Sequence, residues 1–491
     1  MPSQSVLVIG GGLAGMSCAV ALAESGVRVR LLEKKPHLGG RATSYTLSDG
    51  SEVDNCQHLT LGCCTNLADF FRRVGAEKKI RTYDRMYLMD SHGARGTMKS
   101  GILPPPLHMA PSMMFFGALS MADKRGISRA LMTIARAGGS PPGSEGVTML
   151  EWLERMRQTP AAIAKFWRVV LVSALDEELD RAEARYGIDV FWKTFLANRN
   201  GSLIGLPSVP LAELYRGCGE SIARQGGEVK LRTGVREVRV QDGRFAGAVM
   251  ENGSEENADA CVAAVPYDAL PPLLPKAMSE DGGPLAGLRR LRTSPITSVH
   301  LWYDRPVMES PYLALIDYTS QWIFNKTRLY QGQARNGDGH AAQKNENNQY
   351  LQIVISASYD LVQRSRQEII DLCCAELAKV LPKTRTATLL KSTVIKEVRA
   401  TFSPAPGVDN FRPAQQSGIA NLYFAGDFTR TGWPSTMEGA VRSGYLAAEA
   451  VLASFGEPRK FLQPDLPLEG LSKRWAERAA NRRSSTVCAG V

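Results

Sequence analysis

Residues 6–33 read VLVIGGGLAGMSCAVALAESGVRVRLLE. An apolar run stops at three glycines, an alanine-rich helical stretch follows, and a second run closes on an acid, Glu33. Strand, glycine turn, helix, strand and acid in this order make a dinucleotide-binding βαβ unit. Gly10, Gly12 and Gly15 hold the GxGxxG positions. The first permits the tight turn, the second lets a pyrophosphate approach the backbone, and the third lets the helix pack on the strand. Glu33 ends the second strand where a carboxylate accepts hydrogen bonds from an adenosine ribose.

The fingerprint alone does not choose between NAD and FAD. The stretch LGGRATSY (38–45) follows the acid almost at once. Its Gly39-Gly40-Arg41 loop resembles the extended FAD signature of the amine oxidase and phytoene desaturase superfamily. That resemblance implies that Arg41 faces the flavin or its phosphates, where a planar guanidinium makes paired hydrogen bonds. Near the other end, 422–444 read LYFAGDFTRTGWPSTMEGAVRSG. An apolar strand stops at Gly426 and Asp427, and an alanine- and glycine-rich helix starts near Ser435. Such a helix start aims unpaired amides and a positive dipole at an electron-rich partner.

In the superfamily this far-end strand returns to the amino-terminal domain. The resemblance implies that Asp427 binds the ribityl chain. It also implies that the helix after Trp433, entered through Thr436 and Met437, points at the N1 and O2 edge of the flavin, where its dipole favours the reduced form. VKLRTGVREVRV (229–240) is similar to the third cofactor segment, with Val235 meeting the adenine end through its backbone. Leu13, Ala14 and Lys34 complete the implied set of FAD contacts.

The chain has 491 residues, longer than one core usually grows, so two domains are expected. With 44% hydrophobic and 22% charged residues it is an ordinary globular chain rather than a disordered one. A net charge of +10 suits anionic headgroups or phosphates. No nucleic-acid motif accompanies it, and no nucleic-acid partner is expected. The nine cysteines include the adjacent pairs Cys63–Cys64 and Cys373–Cys374 and show no spacing that suits zinc, so no metal is expected and the thiols read as reduced. The first residues run into a buried strand without a basic leader, and no run approaches the roughly 20 apolar residues of a spanning helix. The expected location is cytoplasmic, peripheral on the inner face of the membrane if lipid-bound.

These segments predict an α/β protein. A discontinuous Rossmann-like FAD domain of the amine oxidase type (1–75, 215–275 and 400–460) carries an inserted α+β substrate domain (76–214 and 276–399), and a basic tail (461–491) follows. Helical spacing fills 149–197, and strands are expected at 298–307, 321–326 and 350–357, forming a sheet that roofs the flavin. The polar stretch 331–349 reads as a loop. No internal repeat is visible. In 102–124, ILPPPLHMAPSMMFFGALSMADK, prolines precede Met113, Met114, Phe115, Phe116 and Leu119, which suit either a core helix or a membrane-dipping entrance for a lipid. KRWAERAANRR (473–483) reads as a solvated helix or tail, or as an anchor to anionic lipid.

DNCQHLTLGCCTNLADFFRRVGA (54–76), LPPPLHMAPS, FWRVVLVSAL (166–175), PSVPLAEL (207–214) and GDFTRTGWPSTMEGAVRSGYLAAEAV together resemble one group of the superfamily, the hydroxysqualene dehydroxylases of hopanoid biosynthesis. The likeness spans residues 5 to about 455. Its specificity rests on the DNxQH and TGWPxTMEGAVRSG segments, and Phe428 departs from the usual tryptophan, which alters packing more than chemistry. The resemblance implies a reductive step in which hydroxysqualene loses its allylic hydroxyl as water and gains hydride from reduced FAD, giving squalene. Hydroxide is a poor leaving group, so an acid is required. Asp54 and His58 are the candidates for it or for its hydrogen-bond relay, and Glu438 is a third. Each also has a bland role: a loop pin, a satisfied polar residue and a helix cap.

An oxidative carotenoid-type desaturase is the alternative, and it uses the same flavin in the opposite direction. An amine or protoporphyrinogen oxidase and a non-catalytic flavin scaffold are more distant rivals. No second GxGxxG is present, so the electrons are expected to pass through an external partner.

Overall fold

The computed structural model describes residues 4–331 and 347–488. The βαβ unit forms as its pattern predicts. A five-stranded parallel sheet runs in the order Glu228–Lys230, Arg28–Leu32, Ser5–Ile9, Ala260–Ala263, Leu422–Phe424. Val8 faces Leu31 on one side and Val262 on the other. The central strands are buried on both faces, which is why they read as apolar runs rather than alternating ones. Strands from both ends and the middle of the sequence thus share one sheet.

The helix Leu13–Glu24 covers this sheet and packs against the helix Met437–Ser454. Their contact is backbone-close. A Cβ on Gly444 would lie 2.3 Å from the Ala14 carbonyl oxygen and 2.2 Å from Ser17 Oγ. The glycine of the far-end motif is therefore a helix-crossing device.

A mixed seven-stranded sheet is ordered Leu389–Phe402, Thr293–Tyr303, Gln349–Ile355, Trp322–Asn325, Tyr312–Leu315, Arg85–Met89, Arg95–Lys99. Only the Tyr312–Leu315 and Arg85–Met89 pair is parallel. Alternation sorts its faces. Ile323, Leu351 and Ile353 pack under the helix Arg366–Val380, whereas Trp322, Phe324 and Val354 turn to the other side, toward the first sheet. The helices Met121–Arg136, Met149–Arg155, Arg168–Leu175 and Ala184–Phe191 close the remaining wall, joined by π-helical turns at Ile163–Trp167 and Trp192–Leu196.

The strands expected at 298–307, 321–326 and 350–357 appear as Thr293–Tyr303, Trp322–Asn325 and Gln349–Ile355. The segment 229–240 divides: Glu228–Lys230 joins the parallel sheet and Val235–Gln241 opens an antiparallel hairpin. Most of the loop expected at 331–349 lies outside the described residues. The basic tail forms the helix Gly470–Cys488, which docks on Met121–Arg136 rather than lying free in solvent, with the Arg136 guanidinium 5.9 Å from the Trp475 ring centre. Among the described residues no helix is long and apolar enough to cross a membrane.

Candidate active site and cofactor cleft

Between the two sheets lies a cavity of about 920 Å³. Its floor is the glycine turn. Gly10 has φ +110°, and a Cβ on Gly15 would lie 1.9 Å from the Gly10 carbonyl oxygen, so helix and strand close on each other only because both positions are glycine. Gly12 differs. A Cβ there meets only the Gly40 Cα, at 3.9 Å, so the space a side chain would fill is the cleft a pyrophosphate needs. This cradle fits a dinucleotide.

All the residues singled out as cofactor contacts, except the packing glycine Gly15, line this one cavity: Gly10, Gly12, Leu13, Ala14, Glu33, Lys34, Gly39, Gly40, Arg41, Val235, Gly426, Asp427, Trp433, Thr436 and Met437. Glu33 Oε2 accepts from the Gly11 amide at 2.6 Å, and Oε1 accepts from the Lys35 amide at 2.7 Å. Arg41 forms an ion pair with Asp427, and its other nitrogen donates to the Ala400 carbonyl at 2.9 Å. Asp427 also accepts from Ser435 Oγ. The helix Met437–Ser454 starts at the cavity wall, capped by Thr436 Oγ1, which accepts from the Gly439 amide at 3.0 Å.

A residue the sequence did not flag holds this loop. Arg412 is fully buried and donates to the backbone carbonyls of Asp427, Phe428 and Thr429. Only its pairing with Asp409, three residues before it, is local; the carbonyls it grips lie in the turn after the strand Leu422–Phe424, and Tyr186 is far along the chain.

The candidate acids separate. Asp54 does not line the cavity, and its surroundings do not suit the role of an acid. Its side chain and that of Lys326 are both 0% exposed, with Nζ 2.7 Å from Oδ2. Ser44 Oγ, Tyr330 Oη and the Leu211 amide also donate to the Asp54 carboxylate. Burial alone would raise its pKa, but Lys326 and these donors hold it below the usual carboxylate range. These contacts favour the ionised form of Asp54 and suit a structural anchor.

His58 lines the cavity, with Nδ1 3.1 Å from the Cys56 carbonyl oxygen. Burial pushes its pKa down, so the ring is neutral. With the Nδ1 proton donated to that carbonyl, Nε2 is left as an acceptor, which suits a relay and not an acid. Glu438 also borders the cavity, but its carboxylate accepts from the Asn66 and Leu67 amides and caps the neighbouring helix Thr65–Arg73. Its pKa is raised by burial, against the pull of those amides.

A further carboxyl, Asp176, faces the cavity from the end of the helix Arg168–Leu175. It accepts from the Ala357 amide at 2.8 Å and from Thr401 Oγ1 at 2.9 Å. It forms no salt bridge among the described residues. Burial raises its pKa well above the usual range, and neighbouring Glu177 adds to the rise. These surroundings favour the protonated form of Asp176 at the cavity wall. In the sequence it opens the acidic run DEELD and reads as a solvated helix end.

Beyond the cofactor cleft the cavity becomes apolar, walled by Leu59, Leu61, Ala174, Val190, Ile296, Trp322, Phe324 and Val354. Polar side chains share the same lining, among them Ser173, Asp176, Asp189, Lys193, Ser356 and Thr401.

The family model for flavin containing amine oxidoreductase matches residues 13–452. The 15-cis-phytoene desaturase of Solanum lycopersicum is 26% identical over 463 residues, 92% of this chain and 78% of that one. The 15-cis-phytoene desaturase of Synechococcus elongatus is 26% identical over 468 residues, 91% of this chain and 96% of that one. A solved oxidoreductase of Methanosarcina mazei superposes with a TM-score of 0.69 at 15% identity, covering 90% of this chain and 99% of that one, and so shares the fold. The cofactor is FAD.

Proposed function

We propose, from the premise that this chain belongs to the flavin-containing amine oxidoreductases, that it is an FAD-dependent oxidoreductase acting on a long linear isoprenoid, with desaturation as the first reading. One observation carries it: the cavity that holds the FAD cradle is also walled by Leu59, Leu61, Val190, Ile296, Trp322, Phe324 and Val354, and its lining is mostly apolar. The likeness to phytoene desaturases along nine-tenths of the chain supports the substrate class and the oxidative direction, ahead of the reductive dehydroxylation that the sequence motifs imply.

Bound FAD supplies a hydride acceptor when oxidised and a hydride donor when reduced. The residues lining the cleft hold it: the glycine turn at the pyrophosphate, Glu33 at the ribose, and Arg41, Asp427 and the start of the helix Met437–Ser454 around the flavin. Leu59, Val190, Trp322 and Phe324 exclude water and align an apolar chain. With no second dinucleotide fingerprint in the sequence, electrons pass to or from an external partner.

A specific observation favours a second reading. Desaturation releases a proton, which calls for a base, whereas burial at the cavity wall favours the protonated form of Asp176. A protonated carboxyl in a dry cavity is suited to give its proton to a leaving hydroxyl, releasing water and leaving an allylic cation. That is the acid which reductive dehydroxylation of hydroxysqualene requires. Extraction of the lipid separates the readings. Phytoene converted to a product with one more double bond, in the presence of a quinone as electron acceptor, supports desaturation. Hydroxysqualene converted to squalene by the reduced protein, with a loss of roughly 100-fold or more in Asp176→Asn, supports the second reading. Neither product refutes both.

A further inference from the structure

We infer that the edge formed by residues 102–121 and the start of the helix Gly470–Cys488 docks on a bilayer that carries anionic headgroups. Among the described residues, eight large hydrophobic side chains are exposed, and five of them, Ile102, Leu103, Met114, Phe115 and Met121, fall in this segment. Phe115 is 87% exposed and Ile102 92%. Single exposed apolar residues are ordinary, but a cluster of this kind marks a contact surface.

The cluster is held outward rather than left loose. Met113, Phe116 and Leu119 are buried and root the segment in the core. The Arg199 guanidinium donates to the carbonyls of Gly101, Ile102 and Leu103 at 3.1, 3.2 and 3.2 Å. Ser112 Oγ accepts from the Lys99 amide at 3.1 Å and donates to the Lys99 carbonyl at 2.8 Å. The apolar tips are therefore presented on a fixed backbone.

Cations surround them. Lys124 Nζ donates to the Met114 carbonyl at 2.8 Å. The Leu471 amide donates to the Pro105 carbonyl at 2.9 Å, which sets the exposed Lys473 and Arg474 within a turn of the proline loop. Lys99 and Arg125 are exposed on the flanking strand and helix. The neighbouring acids are used internally: Asp123 accepts from Ser120 and Thr159, and Glu469 from Asn198 and Arg199. Glu477, one turn further along the C-terminal helix, is the exposed exception.

An apolar wedge ringed by cations matches a bilayer, the tips entering the acyl boundary and the cations meeting anionic headgroups. A second copy of the chain is a poorer occupant, because a self-complementary contact would set the two cationic rims against each other. The edge also adjoins the cavity. Lys193 and Thr194 line the cavity, and three residues on Leu196 accepts from Ser472 Oγ at 2.7 Å, so the turn Trp192–Leu196 touches both.

The test uses substrate-free vesicles, so it is independent of the isoprenoid reading. Purified FAD-loaded protein is sedimented with vesicles of phosphatidylcholine alone or mixed with phosphatidylglycerol, at low and high salt. The expected result is binding to the anionic vesicles that weakens with salt and falls at least tenfold both in Ile102→Glu/Phe115→Glu and in Lys473→Glu/Arg474→Glu, with flavin content unchanged. A Phe115→Trp variant should shift its emission to the blue on those vesicles. Equal binding by parent and variants, or an unshifted Trp emission, overturns the proposal. So does a parent dimer that Ile102→Glu/Phe115→Glu dissolves.

Discussion

Asp54 and Asp176 are both buried aspartates whose surroundings shift their pKa values in opposite directions. Asp54 meets a lysine and four further donors, counting the Gln352 amide on its backbone carbonyl, whereas Asp176 meets one amide and one hydroxyl. A buried carboxylate with a cation stays ionised, and one without takes up a proton. Two predictions follow from these states. Lys326→Met should destabilise the fold by about 3–5 kcal/mol, read from denaturant midpoints, because it strands the Asp54 charge. A loss within a few tenths of that unit would refute the anchor role. For Asp176 the folded pKa lies above the unfolded one, so its contribution to stability is present below the ordinary carboxylate range and is lost as pH rises through the raised value. Asp176→Asn should therefore raise Tm at neutral pH and widen its lead over the parent as pH increases, and parallel Tm profiles would show that Asp176 is ionised. Neither state was legible in the sequence. The partner of Asp54 is far along the chain, and the acidic run around Asp176 looks solvated until the fold encloses its first member.

At the scale of elements, the βαβ unit was legible because its signals are local: apolar runs, glycines at fixed offsets and a closing acid. The far-end strand and helix were legible for the same reason, with the helix start displaced from Ser435 to Met437 by the Thr436 cap. The order of the seven-stranded sheet was not, since it joins Arg85–Met89 to Tyr312–Leu315 across nearly half of the chain, and pairing register leaves no mark in either segment alone. Nor was Arg412, whose value depends on the turn it grips. The glycine turn and Glu33 make the prediction proper to this scale. Gly12→Val fills the cleft and Glu33→Ala removes the ribose acceptor, so each should lower the flavin-to-protein absorbance ratio of the purified protein. Full occupancy in either variant would refute the assignment of the cradle.

For the whole molecule, one sheet supplies the FAD cleft, the other roofs an apolar chamber, and the helical wall between them delivers Asp176 and leads to the exposed edge at residues 102–121. Function at this scale is the exchange of electrons between FAD and a long apolar chain, and the motifs and the relatives favour opposite directions for it. The most direct measurement is anaerobic absorbance of the flavin on addition of detergent-dispersed isoprenoid, with phytoene added to the oxidised protein and hydroxysqualene to protein reduced by dithionite. The expected result is bleaching by phytoene, with one flavin reduced per double bond formed. Reoxidation by hydroxysqualene alone would transfer the same site to the reductive reading. A flavin spectrum unmoved by either lipid, in protein whose flavin dithionite reduces normally, would contradict the claim that this cavity serves an isoprenoid.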